Sequence, residues 1–96
     1  MYGTIARLQA KPGTEGQLQR LMGEFEAIKV PGFIRSYVYR MDDDPNEYYL
    51  AVLFENKETY RANAASPEQD ARYQQLLAVL SAPPEWHDGE IVYQTA

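Results

Sequence analysis

Apolar and polar positions alternate from Tyr2 to Ala10, and Lys11-Pro12-Gly13 closes the run. A period of two ended by Pro-Gly predicts a strand and a turn. Thr14 and Gln17 then stand three apart, the spacing of a capping box. Leu18, Leu21, Met22, Phe25 and Ile28 recur at helical spacing, which predicts a helix with one apolar stripe, stopped by Pro31-Gly32. Phe33 to Met41 and Glu47 to Glu55 are β-prone runs joined by Asp42-Asp43-Asp44-Pro45-Asn46, so they read as a hairpin. Asn56-Lys57-Glu58 opens a short helix with Tyr60, Asn63 and Ala64 on one side. Ser66-Pro67 breaks it and caps a second one, with Ser66 as N-cap, Gln69 at the third position and Pro67 at the first. Tyr73, Leu76, Leu77 and Leu80 mark the buried stripe of that second helix, which Pro83-Pro84 ends. Trp86 to Thr95 is the last strand, interrupted early at Asp88-Gly89.

The order is β-α-β-β-α-β, an α+β chain with the ferredoxin-like arrangement: an antiparallel sheet with its helices on one face, in a single domain spanning residues 1–96. A sheet face that meets water should be polar. Here Phe33, Tyr37, Tyr39 and Met41 fall on one side of a strand and Ile34 and Val38 on the other, while Leu50, Val52 and Phe54 oppose Tyr49, Ala51 and Leu53. Covering about four such residues is worth roughly 1.5–3 kcal/mol each. A homodimer packed sheet against sheet follows as an expectation, with Val52 a candidate partner-facing position. Alternation alone does not say which face meets the partner. A half-wet face, its tyrosines reaching water, is the other arrangement.

Composition narrows the partners. Nine Lys and Arg against fourteen Asp and Glu give a net charge of -5, with no basic run to neutralise phosphates, which argues against nucleic acid. No basic amphipathic helix or long apolar run points to a membrane, and the N-terminus lacks the pattern of a signal peptide, so a cytoplasmic location is expected. The chain has no cysteine, which removes disulfides and thiolate chemistry. Asp42, Asp43 and Asp44 are too few and too close to form a calcium loop, so no metal site is expected. Gly13 and Gly16 lack a phosphate-binding pattern.

Asn63 is the leading candidate for chemistry. An amide holds a phenol or carbonyl, and donates to a developing oxyanion, without titrating. Its neighbours Ala62, Ala64 and Ala65 leave space, and the Ser66-Pro67 break turns the next helix away, opening a gap over the sheet. Asn63 as a helix-end cap is the plainer reading. Tyr60 lies one turn earlier on the same side. Tyr73 has a hydroxyl suited to a phenolic ligand, and Arg72 a cation able to stabilise an enolate, though a core tyrosine and a solvated arginine explain both. Tyr37 faces either a pocket or a dimer partner. Trp86 offers an indole to a planar ligand or anchors one end of the core. It should not share a ligand with adjacent His87, because consecutive strand residues point to opposite faces.

Lys11-Pro12-Gly13 before the first helix, Pro31-Gly32-Phe33 leading into the second strand, and LFENKETYRANAASPEQDARYQQL together resemble the antibiotic biosynthesis monooxygenase family. The resemblance covers essentially the whole chain. It implies a homodimer whose two sheets form a dimeric α+β barrel, with a helix–sheet cavity in each subunit. The family includes cofactor-free oxygenases of aromatic polyketides and quinols, haem-degrading enzymes, and small proteins with no assigned reaction. Phe54 matches the family's aromatic near the end of the third strand, where tryptophan is common. Asn63 matches the position held by histidine or asparagine, and is the type seen in cofactor-free members. Glu68, Gln69 and Asp70 stand where haem-degrading members carry a histidine.

The resemblance thus implies a cofactor-independent monooxygenase acting on a small aromatic or quinol, with Asn63, Tyr73 and Arg72 as catalytic candidates. Tyr37, Phe54, Tyr60 and Trp86 are the ligand-binding candidates, and no cofactor is expected. A non-catalytic binding or structural dimer of the same fold is the alternative.

Overall fold

The computed structural model describes residues 1–95, and its sheet is built on β1 (Tyr2–Gln9). This strand pairs antiparallel with β3 (Glu47–Phe54) on one side and β4 (Glu85–Glu90) on the other. An edge strand, β2 (Phe33–Arg40), pairs with β3, giving the order β2-β3-β1-β4. Helix α1 (Glu15–Glu26) links β1 to β2, and the pair α2 (Lys57–Ala64) and α3 (Pro67–Leu77) links β3 to β4. This is the ferredoxin-like topology that the periodicity predicts, including the helix broken at Ser66-Pro67.

Alternation along β1 decides the faces. Thr4, Ala6 and Leu8 are buried under the helices, whereas Ile5 between them is 56% exposed on the opposite side. Leu18 of α1, Tyr48 of β3, Leu76 of α3, and Val79 and Leu80 just beyond it pack onto Ala6, Leu8 and Ala10. The core therefore sits at one end of the sheet. The helix layer does not extend over β2, whose residues are all exposed, and the uncovered space beside it becomes the cavity described below.

The helix break has a local cause. Ser66 Oγ accepts from Gln69 N at 3.1 Å, Pro67 opens the new helix, and Asn56 caps α2 by accepting from Thr59 N at 2.8 Å. Only half of the expected box forms at Ser66, because Gln69 Oε1 is engaged by Arg72.

Several expectations need correction. Thr14 does not cap α1 with its side chain; its hydroxyl donates to the carbonyl of Lys11 at 2.6 Å. Helix α1 ends at Glu26, so Ile28 lies past its stripe and is exposed. Helix α3 ends at Leu77, and Leu80 instead bridges to Ala10. A register shift between Phe33 and Arg35 changes the phase of β2, so Phe33 packs edge-on to Phe54 and does not share the face of Tyr37 and Tyr39. Val52 pairs with Thr4 and lies on the helix side, which removes it as a partner-facing position; Ala51 and Leu53 take the other face. Strand β4 runs through Asp88-Gly89 and stops at Glu90, because its neighbour β1 starts at Tyr2. Beyond that point Ile91 N donates to the carbonyl of Met1 at 2.9 Å, and the ladder ends there among the described residues.

Candidate functional site

Between the helix layer and the sheet lies an open cavity of about 1580 Å³. It exceeds the roughly 300–1,000 Å³ of a typical small-molecule pocket, and its wide mouth lies beside uncovered β2. Val38, Leu50 and Val52 form an apolar floor, while α2 and α3 supply the polar wall.

At one end the aromatic side chains fix each other. Tyr60 lies with its ring 5.3 Å from that of Tyr2 and 5.5 Å from that of Phe54, the latter at 81°. Phe54, 2% exposed, in turn meets Phe33 at 5.7 Å and 75°. Such edge-to-face contacts favour one orientation of each ring. The Tyr60 hydroxyl donates to Asp88 Oδ1 at 2.8 Å. Burial, and next the contact with Asp88, push the Tyr60 phenol up to about 12; the nearby Thr4 hydroxyl acts weakly the other way without forming a hydrogen bond of normal geometry. Tyr60 is therefore a fixed neutral donor in neutral solution, unsuited to act as a base.

One helical turn later, Asn63 lines the same cavity, half-buried. Its backbone carbonyl accepts from Ser66 N and Ser66 Oγ, at 3.0 and 2.9 Å. Its side-chain amide has no hydrogen-bond partner among the described residues, and the capping is done by Asn56 and Ser66. The amide thus keeps its donors and acceptor for whatever enters.

Arg72 is held against the wall: Nε and Nη2 both donate to Gln69 Oε1, at 3.1 and 2.9 Å. Tyr73, the next residue, has its ring 6.2 Å from Trp86, inclined by 50°. Trp86 faces the cavity from β4 and is 41% exposed, which leaves indole surface for a planar group.

Asn63, Arg72, Tyr73, Phe54, Tyr60 and Trp86 thus surround one cavity. Tyr37 does not join them. It sits on the opposite face of the sheet, 52% exposed, because it pairs with Ala51 in the outward phase of β2. His87 is also on that face, opposite Ile5. Among the described residues no group of three or more His, Asp or Glu side chains is placed to hold a metal ion.

Two polar residues of the site escape the sequence reading. Asp88, read there as an interruption of the last strand, projects into the cavity; its signal was its place two residues after Trp86, on the same strand face. Thr4 was the one polar member of the buried set Thr4, Ala6, Leu8.

Comparison with known proteins agrees with this architecture. A family model described as Antibiotic biosynthesis monooxygenase matches residues 1–80. SnoaB, a cofactor-independent oxygenase from Streptomyces nogalater, is similar in structure with a TM-score of 0.77 and 21% identity, over 98% of this chain and 94% of that one. A conserved protein from Methanosarcina mazei Go1 gives a TM-score of 0.80 at 18% identity, over 92% and 89%. A Deinococcus radiodurans protein bearing the family's name gives 0.83 at 13%, over 100% and 97%. No curated protein sequence matches the chain. At these identities the structural likeness speaks for the fold.

Proposed function

The chain belongs to the antibiotic biosynthesis monooxygenase family, and on that premise we propose that it is a cofactor-independent monooxygenase for a small aromatic or quinol substrate bound in the helix–sheet cavity. The observation that carries this reading is the meeting of an unpartnered amide, Asn63, and an exposed indole, Trp86, on the walls of one apolar-floored cavity. The similarity to SnoaB, itself a cofactor-independent oxygenase, adds support.

The chemistry asks little of the protein beyond binding and electrostatics. The keto form of a hydroxyarene carries a ring CH₂; loss of one of its protons to water gives an enolate whose carbanionic ring carbon reduces dioxygen, and the proton is returned as the second oxygen leaves. That carbon becomes C=O, one oxygen atom of O₂ entering the ring and the other leaving as water. Asn63 would hydrogen-bond the enolate oxygen, where negative charge develops. Arg72, positioned by Gln69, would stabilise the same charge from the wall, and Tyr73 would hold the ring against Trp86 and share its hydroxyl with the phenol. A ring laid on the apolar floor of Val38, Leu50 and Val52 would displace water from these contacts and strengthen them.

The protein is proposed to act as a homodimer joined through the sheet face away from the helices. On that face Ile5, Tyr37 and Tyr39 are each more than half exposed in the single chain, beside Leu53. Apolar surface of that extent favours a partner over water.

Oxygen uptake tests the reading. Naphthols, anthrones and quinols are offered in turn in an oxygen electrode, with protein-free controls for autoxidation. The proposal expects at least one to consume O₂ catalytically. A panel that stabilises the protein against heat yet draws no oxygen would make the cavity a binding site without turnover.

A further inference from the structure

The end of the cavity beneath α2 carries a polar cluster that the chemistry above leaves unused. Thr4 on β1 and Asp88 on β4 are paired directly across the two strands, on the helix-facing side. From α2 the Tyr60 hydroxyl reaches Asp88 Oδ1 at 2.8 Å. Thr4 is only 5% exposed, and its Oγ1 is buried with no hydrogen-bond partner among the described residues. Buried hydroxyls without partners are uncommon in folded proteins, and each one asks for a reason.

The donors and acceptors beside it decide what can enter. An ionised carboxylate only accepts. Tyr60 has its one proton on Asp88 Oδ1, so the phenol oxygen can only accept from a newcomer. Its raised pKa keeps that proton in place throughout the neutral range. Asp88 Oδ2 is outside this contact. A group arriving here must therefore bring its own proton. A ring hydroxyl does so. A quinone carbonyl sets its lone pairs against those of the carboxylate. Trp86 precedes Asp88 by two residues on the same face of β4, about 7 Å along the strand, so a ring against the indole places a substituent within reach of the carboxylate.

We infer that Asp88, held by Tyr60, is the specificity-determining end of the cavity, and that it takes the hydroxyl of a hydroxyarene in preference to the carbonyl of the corresponding quinone. The inference rests on the reading that a ring ligand occupies the cavity. It adds direction to that reading. Asp88 holds the hydroxyl of the ligand before its proton is lost, and the enolate oxygen then turns to Asn63 and Arg72; oxidation leaves that oxygen a carbonyl with no proton for Asp88, so the quinone product is bound more weakly than the substrate.

The test is calorimetric titration without oxygen, using 1-naphthol, 1-methoxynaphthalene, which has the ring but no donor, and 1,4-naphthoquinone. Wild-type protein should bind 1-naphthol about tenfold or more tightly than the methoxy compound, the size expected of a hydrogen bond to a charged acceptor. Asp88→Ala should bring the two within about threefold of each other by removing that bond, leaving the affinity for 1-methoxynaphthalene in place. Asp88→Asn, whose amide also donates, should strengthen binding of 1,4-naphthoquinone. A naphthol preference unchanged in Asp88→Ala overturns the inference. Binding of none of the three to wild-type protein instead overturns the ring-binding reading on which it rests, so the two failures are distinct.

Discussion

Tyr60 and Asp88, 28 residues apart in the chain, meet at 2.8 Å between the phenol hydroxyl and Oδ1. The contact joins α2 to β4 across the end of the cavity, and with the rings of Tyr2 and Phe54 it gives Tyr60 a single setting. Its consequence is measurable in alkali. Tyr60 holds its proton up to about pH 12, above the ordinary 10.0 of a tyrosine, through burial first and the Asp88 contact second. A folded-state pKa above the unfolded value means that the native protein binds the proton more tightly. Stability from this group is complete below about pH 10 and is lost as pH rises toward 12. Ultraviolet titration of phenolate should show a late-ionising tyrosine that disappears in Tyr60→Phe. A Tyr60→Phe variant with the same titration curve as wild type would contradict the assignment.

Asn63→Ala should leave the melting temperature nearly unchanged, because the side-chain amide has no partner to lose among the described residues and capping rests on Asn56 and Ser66. Ligand binding should weaken by about 1–3 kcal/mol, the loss of one hydrogen-bond partner for the ligand. Asn63→Leu should block binding while holding or raising stability, as commonly happens when a site polar group is replaced. Thermal melts with and without a naphthol panel measure both. If Ala instead costs about 0.5–2 kcal/mol of stability and spares binding, Asn63 is a capping residue.

The proposed dimer makes a prediction about Leu53, which stands on the outward face where Val52 does not. Light scattering should give about twice the mass of one chain at micromolar concentration. Leu53→Asp should shift the protein to monomer by placing a charge in an apolar contact, whereas a wild-type monomer at that concentration would remove the dimer.

Haemin added to the protein should produce no sharp Soret band of an axially ligated iron. The chain has one histidine, and His87 projects from the sheet face away from the cavity, opposite Ile5. A tight spectral titration abolished by His87→Ala would show that the other face binds the ring.

The order of elements is legible in the chain because its signals are local. Period-two and helical spacings are closed by Pro31-Gly32 and Ser66-Pro67, and the cap at Ser66 forms from residues three apart. Which apolar set faces the helices is not a local property. Leu50, Val52 and Phe54 and their neighbours Tyr49, Ala51 and Leu53 alternate equally well, and only the placement of the helices chooses between them. The shift at Phe33 further reverses the phase of the first residue of β2, which no period count reveals.

The candidate site divides in the same way. Tyr60 and Asn63 lie on one face of one helix, and Arg72 and Tyr73 follow a break that the sequence marks, so helical spacing brings them together. Asp88 depends on β4 pairing with β1 from the far end of the chain. Asp-Gly reads locally as a turn, and the ladder with Gly3 and Thr4 overrides that preference. Thr4 gains meaning only when its hydroxyl is seen to be buried without a partner.

The most direct test of the central claim is isotopic. Protein and the best-bound anthrone or naphthol are mixed under ¹⁸O₂ and the quinone product is analysed by mass spectrometry, with the Asn63→Ala variant and a protein-free reaction alongside. Catalytic formation of quinone carrying one ¹⁸O atom per molecule is expected, at a rate that falls about tenfold or more in Asn63→Ala, as for loss of one donor to a developing oxyanion. Labelled quinone forming no faster with protein than without it, for every compound that binds, would rule out a monooxygenase and leave a cavity that holds its ligand without oxidising it.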